Sequence, residues 1–121
     1  CAACRAPLAL DHPVPVSDAD LERLVADSPV PVLVDFYADW CGPCRAMAPQ
    51  LDALARRQAG RAIVAKLDTD ANPAMAQRFG LRGIPTLVAF AGGREAGRQV
   101  GLVPPAQLDA LLARAAAATG G

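Results

Sequence analysis

The sequence predicts an α/β domain built on a mixed sheet with helices on both faces. Three observations carry this. Segments of period 2 and period 3.6 alternate along the first two thirds of the chain. A Gly92-Gly93 turn between two strand-like runs puts a hairpin near the end. One strand, 30–38, is nearly all apolar, as expected of a strand covered on both faces. The order read from these segments is β-α-β-α-β-α-β-β-α.

Each element has its own signal. Val14 to Val16 is a short strand candidate. Ser17 stands as a helix N-cap with Asp20 placed to close a capping box, and Val16 and Leu21 suit a hydrophobic staple. Leu21, Leu24 and Val25 form one apolar face, and Ser28-Pro29 ends that helix. The strand 30–38 is interrupted only by Asp35. The next helix follows Cys41, carries Pro43 in its first turn and buries Met47, Leu51 and Leu54. Pro49 is expected to kink it, and Gly60 to close it. Residues 62–68 (AIVAKLD) read as a strand, and Asn72-Pro73 opens a short helix that Gly80 ends. Strands at 86–91 and 95–100 flank the glycine turn. Pro104-Pro105 begins a last helix with Leu108, Leu111, Leu112 and Ala115 on one side. The Ala-rich tail (AAAATGG) is low in complexity.

Composition narrows the function. The chain has 121 residues, 53% hydrophobic and 20% charged, which fits one globular domain. Its formal net charge is +0, so no field draws in nucleic acid or acidic lipid, and neither is expected as a partner. Lys66 is the only lysine among twelve basic residues. No apolar stretch nears the roughly 20 residues that span a bilayer. The chain begins at Cys1 rather than Met, so an upstream piece is expected and inspection leaves a signal peptide open.

The four cysteines fall into two C-x-x-C pairs, which points to metal or redox chemistry. A Cys41 at a helix N-terminus would have its thiolate stabilised by free N–H groups and the helix dipole, making it the attacking sulfur. Cys44, one turn further in, would be the buried partner that resolves a mixed disulfide. Gly42 and Pro43 allow the tight turn and stiffen it. A single zinc site from all four cysteines is the alternative. Its usual spacing is about 15–20 residues between pairs, whereas a β-α-β segment separates these. Asp35 inside an apolar strand is costly to bury unless it has a task, the other reading being a carboxylate facing water at a strand end.

Three stretches, VDFYADWCGPCRAMAP, KLDTDANPAMAQRFGLRGIPTLVAF and VGLVPPAQL, resemble the thioredoxin family across nearly all of residues 14–116. WCGPC followed by GIPT some 40 residues later is a specific combination. The resemblance implies a thioredoxin fold, a five-stranded mixed sheet flanked by four helices. It implies a protein-disulfide reductase that exchanges a dithiol for a disulfide through Cys41 and Cys44. Asp35 would take the Cys44 proton through water and Lys66 would tune that carboxylate. Trp40 would cover the pair. Pro85 would be a cis proline packed against the sulfurs. Gly83, Ile84 and Gly101 would line a groove for an extended substrate, with Trp40, Gly42, Pro43 and Pro85 on the same substrate-facing surface. The redox reaction would need no cofactor. Thioredoxin reductase and disulfide-containing proteins would be the partners of a cytoplasmic monomer. Tyr37 stands where many relatives have Trp, a change expected to matter little, and Asp39 is a variable position.

CAACRAPL at the start resembles one knuckle of the zinc ribbon on the bacterial zinc-bearing second thioredoxins. On that reading, residues 1–12 are the remnant of a ribbon-like segment and 13–118 the thioredoxin domain. Cys1 and Cys4 would supply half of a zinc site, completed only by upstream ligands, since zinc takes four. Two free thiols are the alternative. The sequence leaves two further functions open: a disulfide oxidase or isomerase of an oxidising compartment, disfavoured by the Gly-Pro insert, and a zinc-dependent redox-responsive chaperone or binding module.

Overall fold

A computed structural model describes residues 11–120. In chain order the elements are β1 (Val14–Pro15), α1 (Asp18–Asp27), β2 (Val32–Tyr37), α2 (Gly42–Arg57), β3 (Ile63–Asp68), α3 (Pro73–Arg78), β4 (Thr86–Ala91), β5 (Arg94–Val100) and α4 (Pro105–Gly120). One five-stranded sheet has the order β1-β3-β2-β4-β5. β1 and β2 pair parallel with β3, while β4 pairs antiparallel with both β2 and β5. The mixed α/β sheet expected from the sequence is the sheet observed.

The pleat of β2 sorts its side chains into two layers. Val32, Val34 and Phe36 enter an apolar cluster with Leu21 of α1, Met75 of α3, and Val88 and Phe90 of β4. Leu33 enters the opposite cluster with Met47, Leu51 and Leu54 of α2 and Leu108, Leu111 and Leu112 of α4. Truncating any of these fully buried leucines to alanine costs about 2–5 kcal/mol. Asp35 shares the Leu33 side of the strand, so the pleat aims it beneath α2. This is what places a carboxylate near the start of that helix.

Local signals explain most element ends. Ser17 caps α1: its hydroxyl accepts the Asp20 N–H, and the Asp20 carboxylate accepts the Ser17 N–H, closing the capping box. Gly92 and Gly93 take φ of 60° and 84°, the left-handed values a two-residue hairpin turn needs. Pro49 lies inside α2, which continues past it as one helix to Arg57. Its missing N–H leaves the Arg45 carbonyl without the usual i+4 donor. The apolar run 30–38 is trimmed to 32–37 in the structure. β5 begins at Arg94, and its pairing shifts register at Ala89/Phe90. α4 runs through the alanine-rich tail, where Ala115 is fully buried. Alanine has the highest intrinsic helix propensity, which favours continuing the helix through this stretch.

Candidate active site

The site lies where β2 hands over to α2. Ala38, buried at the strand end, accepts the Cys41 N–H at 3.1 Å, and the chain then turns into the helix. Cys41 is the N-cap of α2, and its Sγ accepts the Cys44 N–H at 3.2 Å. A sulfur so placed faces the open N–H end of the helix, where negative charge is stabilised. Both cysteines are free thiols, and both are buried. With Ala38, Tyr37 and Ile84 they form a small apolar cluster of their own. The Cys44 thiol is pushed up to about 12, first by burial and next by its hydrogen bond with Cys41. Cys44 is therefore a protonated thiol at neutral pH.

Asp35 is 4% exposed, and its Oδ1 has no hydrogen-bond partner. Burial raises its pKa to about 7, against the smaller opposing pull of the Lys66 ammonium. Lys66 is the register partner of Asp35 on β3. A cavity of about 130 Å³ joins these groups, lined by Asp35, Tyr37, Cys44, Arg45, Asp52 and Lys66 among others. That volume is enough for a few waters at about 30 Å³ each. Asp35 and Cys44 thus line the same small cavity behind the helix start.

On the other side of the thiols, the Ile84–Pro85 peptide bond is cis. The Ile84 carbonyl lies 3.9 Å from Cys41 Sγ, within reach of a thiol donor. Pro85 is buried, and its carbonyl accepts the Gly101 N–H at 2.8 Å. Gly101 makes that approach at φ 87°, a conformation that favours glycine. Gly83 is exposed, though its carbonyl is already engaged by the Thr86 hydroxyl. Gly42 and Pro43 are exposed at the first turn of α2.

Trp40 is 67% exposed, and its indole N–H donates to Asp70 Oδ2 at 2.8 Å. The expected cover over the thiols is thus a ring presented to solvent and tied at its nitrogen. Val100 and Leu102 are also exposed and extend the apolar surface near Gly101. Asp70 lies 30 residues from Trp40 in sequence, and no local pattern links the two. Tyr37 is a second omission. Its ring carries the Lys66 ammonium 4.9 Å from the centroid. Strand alternation could have found it, because Tyr37 is two residues from Asp35 and shares its face.

Among the described residues, no group of three or more His, Cys, Asp or Glu is placed to hold a metal ion. The half-site expected at Cys1 and Cys4 lies outside the described residues. No helix among them is long and apolar enough to cross a membrane. Dithiol exchange takes its two electrons from the cysteines themselves, so the reaction needs no cofactor beyond them.

Comparison with known proteins adds an independent line. The thioredoxin family model matches residues 12–114. Thioredoxin from Allochromatium vinosum is 49% identical over 102 residues, covering 84% of this chain and 95% of that protein. Thioredoxin 1 from Nostoc sp. is 47% identical over 97 residues, covering 80% and 91%. A mutant thioredoxin from Halobacterium salinarum superposes with a TM-score of 0.80 at 41% identity, covering 88% of this chain and 93% of that one. The likeness spans almost the whole of each relative, and it includes the helix start that carries the two thiols. The protein is a thiol-disulfide oxidoreductase that reduces protein disulfides through the Cys41–Cys44 pair, and the chain belongs to the thioredoxin family.

Proposed function

We propose that the two thiols act in a fixed order, with Cys41 attacking and Cys44 resolving. The Cys41 thiolate attacks one sulfur of a substrate disulfide. That S–S bond breaks, a mixed disulfide forms on Cys41, and the departing substrate thiolate takes a proton from water. Asp35 then accepts the Cys44 proton, through a water in the shared cavity. The Cys44 thiolate attacks Cys41 Sγ, a Cys41–Cys44 disulfide forms, and the second substrate sulfur leaves as a thiolate that takes a proton from water. The substrate has gained two electrons and the enzyme has lost two.

The observation that carries this order is the contrast between the sulfurs. Cys41 caps the helix and accepts an N–H, whereas Cys44 is held protonated beside a buried carboxylate. The same contact explains the timing. Cys41 Sγ raises the Cys44 thiol while both are reduced. Once Cys41 is bonded to substrate it no longer presents a free thiol or thiolate to Cys44, and Cys44 becomes easier to deprotonate.

Lys66 serves as the cation that keeps Asp35 from rising further. Trp40, Gly42, Pro43, Gly83, Ile84, Pro85 and Gly101 form the surface on which an extended substrate segment lies, pairing with the backbone as an added strand. Thioredoxin reductase recharges the disulfide, in the cytoplasm, and the chain acts as a monomer on disulfide-containing proteins. Ahead of a thioredoxin domain at 13–118 stands the segment 1–12, which resembles one zinc-ribbon knuckle in sequence. Its C-x-x-C spacing supports Cys1 and Cys4 as two of the four thiolates of a zinc site.

The test is insulin reduction coupled to thioredoxin reductase and NADPH. Cys41→Ser should abolish turnover, while Cys44→Ser should accumulate a substrate mixed disulfide visible by mass spectrometry. At neutral pH, alkylation should label Cys41 before Cys44. Faster labelling of Cys44, or trapping by Cys41→Ser, would reverse the assignment.

A further inference from the structure

We infer that Tyr37 is a positioning residue for the proton-transfer pair, its ring holding the Lys66 ammonium off the Asp35 carboxylate. Asp35 and Lys66 are register partners on adjacent parallel strands, neighbours whose opposite charges attract and could meet in an ion pair. Here they do not: among the described residues, the ion pairs do not include this one. Asp35 Oδ1 has no hydrogen-bond partner either. Lys66 Nζ lies instead over the Tyr37 ring, 4.9 Å from its centroid. A lysine stem is flexible enough to reach either place, and the face of a tyrosine attracts an ammonium at this range. Tyr37 sits two residues after Asp35 on the same face of β2, so the ring and the carboxylate compete for one cation.

The competition has a functional reading, which rests on Asp35 being the base for Cys44. An ammonium drawn into contact would stabilise the carboxylate and lower its affinity for a proton by about one pH unit or more. A weaker base would take the Cys44 proton less readily. An ammonium fixed on the ring still moderates Asp35, and the observed direction agrees: burial raises its pKa and Lys66 opposes that only in part. The other charged or titratable groups around the chamber are Asp39 in the turn after β2, and Cys44, Arg45 and Asp52 on α2. The facing residue on β4 is Leu87, which carries no charge. Lys66 is therefore the cation whose placement the ring decides.

The experiment is an NMR titration of the Asp35 carboxyl carbon in the reduced protein, run beside the pH profile of mixed-disulfide resolution. Tyr37→Leu should lower the Asp35 midpoint by about one pH unit. Tyr37→Phe keeps the ring face and should leave the midpoint in place. Lys66→Met should raise it, and in that background Tyr37→Leu should have no further effect. An unmoved midpoint in Tyr37→Leu overturns the inference. So does a drop that survives in the Lys66→Met background, because water entry rather than the ammonium would then be the cause. A shift in Tyr37→Phe equal to that in Tyr37→Leu would assign the effect to the hydroxyl and overturn it as well. If the carboxyl midpoint moves while the resolution profile does not, the placement of Lys66 stands and Asp35 is not the base.

Discussion

Replacing Asp35 by asparagine keeps the shape of the side chain and removes its titration. In the folded chain this carboxyl has a pKa of about 7, against an ordinary value of 3.8 once the chain unfolds. Between those values the folded state binds more protons than the unfolded one, so stability falls as pH rises. The stability linked to Asp35 is fully present below pH 3.8 and is lost progressively up to about pH 7. At about 1.4 kcal/mol per unit, the loss above neutrality comes to about 4 kcal/mol. Asparagine carries no such loss. Its amide must still be buried where one oxygen has no partner, a cost of about 1–3 kcal/mol that a protonated Asp35 largely shares. Asp35→Asn should therefore be close to wild type near pH 4 and more stable by about 2–4 kcal/mol at pH 8. In a domain of this size that corresponds to a rise in Tm of roughly 10 °C. The assay is denaturant unfolding of both reduced proteins at intervals from pH 4 to 8. A stability difference that stays constant across this range would refute the reasoning, because it would mean that Asp35 titrates alike in both states. Activity should move the other way, with slower resolution of mixed disulfides in the variant.

Two smaller predictions concern contacts around the site and the core. Asp70→Ala removes the acceptor of the Trp40 indole N–H, at a cost of about 0.5–1.5 kcal/mol in this exposed pair. Trp40 is the single tryptophan of the chain, so its fluorescence reports the change directly; identical spectra in both proteins would show that the bond does not hold the ring. Gly97→Ala places a Cβ 2.9 Å from Leu111 Cδ1 and from Arg114 Nη1, where α4 lies against β5. The arginine end can move away, but Leu111 is fully buried, and thermal unfolding should reveal a loss of about 1–3 kcal/mol. A variant as stable as the parent would mean that the helix shifts freely on the sheet.

Much of this was readable because the decisive signals are local. Ser17 and Asp20 close their capping box within four residues, and a carboxylate inside an otherwise apolar strand marks itself as unusual. The thiols were equally plain, since a strand, two cysteines and a proline-led helix follow one another directly. What escaped depends on pairs that only the sheet brings together. Asp70 reaches Trp40 across the ends of β2 and β3, and Lys66 reaches Tyr37 across neighbouring strands. In the sequence Tyr37 is only an exchange for tryptophan expected to matter little, and the use of its ring is visible only with the lysine beside it. The apolar run 30–38 could not show its own ends, because hydrophobicity does not distinguish a paired residue from a buried turn such as Ala38. As sequence the alanine tail is merely low in complexity, although the same alanines favour the continuation of α4.

The register of β2 carries more than strand pairing. Asp35 lies opposite Lys66 on one side and Leu87 on the other, with Val34 and Phe36 pointing the opposite way. Because side chains alternate with period 2, a slip of one residue would exchange the two faces completely. The carboxylate would be thrust among Leu21, Met75 and Phe90, and a phenylalanine or valine would stand behind Cys44. Such a chain would lose its proposed proton acceptor and incur the burial of a charge in the same movement. The buried carboxylate thus also acts as a lock on the alignment of the strands: misthreaded forms are penalised at the position proposed to serve the chemistry.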